Sequence, residues 1–171
     1  MKRTTAVRIL LGAGIWLAAA MPGSAQQTLG VYGDWTAVVF GSGDKRMCYI
    51  GSTPKKQEGK YTVRGETHVL VTHRPNEKVV GEVSVAAGYP YRQGKDATIE
   101  IDKKATFNLF TRDENAWAFD ASADRDLVRA MKAGSQMIVR GTSSRGTLTT
   151  DTYSLSGFTA AYNAIDKACG L

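Results

Sequence analysis

The chain has 171 residues and a formal net charge of +6. Lys2, Arg3 and Arg8 supply half of that charge; without these three, 19 basic residues face 16 acidic ones, a net of +3. A balance so close to neutral removes the main argument for a nucleic-acid partner, and no long basic run remains to revive it, since "PKKQEGK" is short and holds Glu58.

Those three cations open a leader pattern. Behind them, residues 9–20 form an apolar run, "ILLGAGIWLAAA". Such a run of about 12 residues falls short of the roughly 20 that span a bilayer. Pro22 then breaks it, and Gly23, Ser24 and Ala25 offer small residues for a cut after Ala25. This is the layout of a secretory signal peptide, with an uncleaved N-terminal anchor as the alternative. No cysteine follows the run, which argues against a lipoprotein anchor. Cleavage removes 25 of 171 residues and leaves 146, residues 26–171, the size of one domain. The expected location is the periplasm or, as a secreted protein, the cell surface, with no transmembrane segment after cleavage.

Short runs rich in β-branched and aromatic residues follow. "WTAVVF" (35–40), a Gly-Ser-Gly-Asp turn and "RMCYIG" (46–51) read as a hairpin. "KYTVRG" (60–65) reads as a short strand. "THVLVTH" (67–73) ends at the turn signal Arg74-Pro75-Asn76, and "VVGEVSVAAG" (79–88) comes next. "DATIEID" and "KATFNLFT" alternate around Asp102-Lys103, with Ala105, Phe107 and Leu109 on one face and Thr106, Asn108 and Phe110 on the other. "NAWAF" closes the series.

The rhythm then changes to helical. "SADRDLVRAMKAG" has a Ser or Asp cap, an apolar set Leu127, Val128 and Met131, late Lys132 and a terminal Gly134. "QMIVRG" and "TLTTDTYS" are strands again, joined by a Ser-Ser-Arg-Gly turn. In the last segment, Ser154 or Ser156 serves as a cap, and Phe158, Ala161, Tyr162, Ile165 and Cys169 recur on one helical face. The sum is an all-β fold, mainly an antiparallel β-sandwich or flattened barrel, with one short internal helix and a C-terminal helix.

Cys48 and Cys169 are the only cysteines. In an oxidising compartment the expectation is that they pair, across 121 residues of chain. A reactive thiol or a metal site lacks a CxxC motif or a close histidine. Catalysis fares no better. A nucleophile elbow needs G-x-S-x-G between a strand and a helix. Gly141-Thr142-Ser143-Ser144-Arg145-Gly146 has one residue too many and lies between two strands. No histidine follows Ser143, and His68 and His73, five apart, face opposite sides of a straight strand. The acidic residues are scattered, without HExxH or EF-hand spacing. No catalytic residue, metal or cofactor is expected.

A candidate binding surface remains. "GYPYRQGKD" (88–96) places Tyr89, Tyr91, Arg92 and Lys95 in a loop, and Tyr and Arg commonly anchor binding surfaces. Arg74 and Lys78 border the same strand run and are expected nearby, and Arg145 sits at the hairpin tip. Such a cluster suits an anionic glycan or a protein partner of the cell envelope.

Four stretches carry a family resemblance: "YGDWTA" (32–37), "LVTHRP" (70–75), "VSVAAGYPY" (83–91) and above all "RGTLTTDTYSLSGFTAA" (145–161). In these the chain resembles the invasion-associated locus B family of bacterial secreted proteins. The resemblance implies an exported protein of Gram-negative, mostly alphaproteobacterial, cells. It also implies a compact β-rich domain without known enzymatic activity, in a family linked to host-cell invasion. It carries over no catalytic residues. Many relatives have further cysteines after the GDW motif, whereas "GDWTAVVF" has none. The expected function is therefore a non-enzymatic envelope protein that binds an envelope or host component. Its rivals are an assembly factor of an envelope complex and a hydrolase with an unrecognised site.

Overall fold

The computed structural model describes residues 26–171; the leader expected over residues 1–25 lies outside them. In chain order the strands are β1 (Gln26–Tyr32), β2 (Trp35–Phe40), β3 (Met47–Ser52), β4 (Lys56–Gly59), β5 (His68–Arg74) and β6 (Val79–Ala86). Next come β7 (Ala97–Ile101), β8 (Ala105–Arg112), β9 (Asn115–Trp117) and helix α1 (Ala121–Ala133). The chain closes with β10 (Gln136–Thr142), β11 (Leu148–Ser154) and helix α2 (Phe158–Cys169).

The expected all-β class, with one internal and one C-terminal helix, is what the chain forms. The two layers of a sandwich are, however, joined. Among the described residues eleven strands make one open sheet in the order β1-β2-β3-β5-β6-β9-β8-β7-β10-β11-β4. Every ladder is antiparallel. β8 is the joint. Its residues 105–109 pair with β7, and its residues 110–112 pair with β9.

Register explains the core. Ala37 lies opposite Ile50, Ile50 opposite Val71, and Val71 opposite Val83, so the period-2 alternation turns all four to one face. In the other half, Ile99 lies opposite Val139, and Ile101 opposite Met137, which faces Tyr153. Side chains from both halves and both helices meet in one buried cluster. The ends of β2 and β11 approach closely, where Trp35 Nε1 donates to Ser154 O at 3.0 Å.

Both helices bury the faces expected of them. α1 turns Leu127, Val128 and Met131 inward, and Asp120 caps it by accepting from the Ser122 and Ala123 amides at 2.8 and 2.9 Å. α2 buries Phe158, Ala161, Tyr162, Ile165 and Cys169, with Phe158 edge-on to Trp35 at 4.9 Å. Neither expected serine caps α2. Gly157 does, at φ +86°, because a side chain there would overlap the Tyr32 carbonyl where the chain passes under the β1–β2 turn. At the far end of α2, Cys169 and Cys48 form the expected disulfide, with Cα atoms 6.1 Å apart.

Two strands depart from expectation. β1, "QQTLGVY", is a largely exposed edge strand whose short apolar alternation, Leu29 and Val31, is interrupted by a bulge at Leu29 and leaves Val31 71% exposed. The strand expected over 60–65 lies one step earlier, as the polar "KQEG" of β4 on the edge of β11. Residues 60–65 are irregular instead, because Arg64 turns inward and leaves Val63 89% exposed. No helix among the described residues is long and apolar enough to cross a membrane.

Candidate ligand-binding cleft

The site is built on a buried ion pair. Alternation along β11 puts Thr149, Asp151 and Tyr153 on the buried face. A carboxylate there needs a partner, since an uncompensated buried charge is costly. Arg64 supplies it: its Nη1 and Nη2 each donate to one Asp151 oxygen at 2.6 Å, and Nε donates to Ala87 O at 2.7 Å. Both side chains are 3% exposed. Burial opposes the guanidinium charge, but the Asp151 bonds outweigh it and hold the Arg64 pKa above its usual value. The Tyr61 and Tyr89 rings flank the guanidinium, their centroids 5.5 and 5.1 Å from Cζ. The Tyr89 hydroxyl shares a 2.6 Å hydrogen bond with Thr149 Oγ1, and burial raises its pKa.

Two backbone ties hold the walls. The Gly65 amide donates to Gly88 O at 2.9 Å, and Gly88, at φ +70°, leaves no room for a side chain against Gly65. The Ser144 amide donates to Pro90 O at 2.7 Å, which fastens the β10–β11 hairpin to the same loop. Between these segments lies a cleft of about 420 Å³. Lys60 and Arg145 stand on its rim with Glu114, and Tyr61 and Tyr89 form its aromatic walls.

The structure brings together some of the expected surface residues and separates others. Tyr89 and Arg145 line the cleft. Arg92 lies beside it, its guanidinium 3.9 Å from where a Gly146 side chain would begin, and Lys95 follows in the same loop. Tyr91 is a correction: it is 7% exposed and belongs to the core, packed edge-on to Tyr89 at 5.4 Å and bridged to Ser143. Burial raises its pKa. Arg74 and Lys78 are a second correction. They border β6 at its other end, and a strand of eight residues holds its two end loops about 26 Å apart. Arg74 is moreover engaged there, forked onto Glu82 at 3.1 and 2.9 Å and bonded to Glu77 at 2.8 Å.

Sequence reasoning missed Lys60, Tyr61 and the Arg64–Asp151 pair. Asp151 was findable, since it falls on the apolar phase of its strand. Arg64 was not, because its partner is 87 residues away.

The serines of the hairpin form turn structure. Ser143 Oγ accepts from the Thr147 amide at 3.1 Å, and Gly146 takes φ +89°. Neither histidine lines the cleft. His73 lies fully buried at the opposite end of β5, where Nδ1 accepts from the Gly81 amide at 2.9 Å. Its Nε2 lies 3.0 Å from Asp166 Oδ1, outside hydrogen-bonding alignment, and burial lowers its pKa. Among the described residues no group of three or more His, Cys, Asp or Glu is placed to hold a metal.

No curated protein and no solved structure matches the chain. A family model described as Invasion associated locus B (IalB) protein matches residues 35–166, a span that includes both walls of the cleft and the Arg64–Asp151 pair beneath it. The chain belongs to the invasion-associated locus B family.

Proposed function

We propose that the protein is a non-enzymatic binding protein that takes an anionic glycan of the cell envelope into the cleft above Arg64. Family membership supports an exported, envelope-associated protein, and the disulfide suits an oxidising compartment. The observation that carries the reading is the cleft itself. Lys60 and Arg145 rim it without an ion pair among the described residues, while the one cation beneath them, Arg64, is neutralised by Asp151. The rim thus offers two cations against the single carboxylate Glu114, beside rings that suit the apolar faces of sugars.

The test is co-sedimentation with isolated peptidoglycan sacculi and direct titration with polygalacturonate. Lys60→Ala with Arg145→Ala is expected to weaken binding about tenfold or more without changing the thermal midpoint, since both residues are at the surface. Wild-type protein that binds neither probe would remove the ground for this reading.

A second reading, a protein contact in an envelope assembly, is favoured by one feature. Val63 and Leu148, 89% and 60% exposed, stand beside the cleft as apolar anchors. A photo-crosslinker at Val63 that captures a single envelope protein in intact cells, and no glycan, would select it.

A further inference from the structure

The outer face of the sheet carries a second concave surface of about 420 Å³, between β6, β8 and the start of α1. Its floor is a row of three aromatic rings. Phe110 and Trp117 are cross-strand neighbours, stacked with centroids 5.6 Å apart and planes 27° from parallel. Phe119 continues the row, 5.8 Å from Phe110 and 58% exposed. Around the rings stand Lys78, Arg112 and Asp124.

Topology creates this groove. β9 ends at Trp117, opposite Ser84, so from Val83 back to Val79 the strand β6 has a neighbour on the β5 side only. A free edge of this kind ordinarily invites an added strand. Here two of its amides are spoken for. Val83 N–H donates to Asp124 Oδ1 at 2.9 Å, and Gly81 N–H turns back to His73 Nδ1. An extended peptide would find these donors occupied. The charges are mixed as well: Lys78 and Arg112 face Glu82, Asp120 and Asp124, so the groove has no field that selects a polyanion.

What these surroundings complement is a ligand with an apolar face that lies on aromatic rings and a rim of groups that both donate and accept hydrogen bonds. We propose that the groove is a binding site for a neutral saccharide, with a pyranose ring stacked on the exposed Phe119, next to Phe110. Its hydroxyls donate to the Asp124 carboxylate and accept from Arg112 and Lys78. Asp124 is suited to this part: it is 8% exposed, it lines the groove, and of its two oxygens the fold engages Oδ1. The site is separate from the cleft above Arg64 and does not depend on what that cleft binds.

The experiment is a titration of the protein with a panel of neutral tetrasaccharides built from glucose, mannose or N-acetylglucosamine, followed by calorimetry and tryptophan emission. At least one member is expected to bind saturably. Phe119→Ala, an exposed position whose loss leaves the fold intact, weakens that binding about tenfold or more at an unchanged thermal midpoint. Asp124→Asn weakens it too, while Lys60→Ala with Arg145→Ala leaves it as it was. The proposal is overturned if no member of the panel binds at millimolar concentration. It is equally overturned if Phe119→Ala binds as tightly as wild type, or if its one effect is to abolish self-association of the protein.

Discussion

A guanidinium and a carboxylate, each 3% exposed, bind face to face between Tyr61 and Tyr89. Removing one partner of such a pair strands the other charge, whereas replacing both with apolar side chains of similar size is far milder. Arg64→Met is therefore expected to lower stability by about 3–5 kcal/mol, and adding Asp151→Leu to recover most of the loss, read from urea unfolding midpoints. A double mutant less stable than Arg64→Met alone would contradict this. Asp124 gives a pH-dependent counterpart. Burial, the largest influence on it, raises its pKa from the usual 3.8 to about 6. Below 3.8 the group is neutral in folded and unfolded chains alike, and its contribution to stability is fully present. As pH rises through about 6, the fold must hold a charge that burial disfavours, and that contribution is lost. Asp124→Asn should then stabilise the protein by up to about 2–3 kcal/mol at pH 8 and by almost nothing near pH 3.5. Equal gains at both pH values would rule out this origin. At this scale the chain was half readable. Asp151 and Asp124 sit where alternation and helical phase bury them, but nothing local announces Arg64 or the strand edge that Asp124 caps.

At the scale of elements, periodicity carried the reading wherever one face is buried and the other wet. α2 and the β7–β8 and β10–β11 hairpins were legible for that reason. β4 was not, because this edge strand keeps polar side chains on both faces, and β1 was not, because a bulge at Leu29 breaks its short apolar pattern and leaves Val31 exposed. The cap of α2 was missed because steric contact with the β1–β2 turn, rather than hydrogen-bond chemistry, chose glycine at position 157. The tie between α2 and β3 matters most. The Cys48–Cys169 disulfide closes 121 residues of chain and fixes the last turn of a helix whose other end packs on Trp35. Reduction, or Cys48→Ser with Cys169→Ser, is expected to cost about 2–5 kcal/mol and to lower the thermal midpoint accordingly. Unchanged melting in the presence of reductant would show that packing alone anchors α2.

At the scale of the whole molecule, placement counts for more than totals. Residues 26–171 carry a net charge of only +3, the 19 basic residues outnumbering the 16 acidic ones. Selective binding of an anionic ligand must therefore come from where the cations sit. The loops after β5 and after β6 looked like neighbours along the chain, yet they occupy opposite ends of β6, and only the second opens onto the cleft. This separation was invisible to local patterning, because it follows from strand length and pairing rather than from residue type. It also supplies the control for the central claim. Lys60→Ala with Arg145→Ala and Arg74→Ala with Lys78→Ala remove the same charge from opposite ends of the sheet. The decisive measurement is the dissociation constant of each double variant for polygalacturonate at constant ionic strength. The cleft account predicts that the first pair loses about tenfold or more in affinity and that the second stays within about twofold of wild type. Equal losses in both variants would mean that overall charge, and not the cleft, holds the ligand.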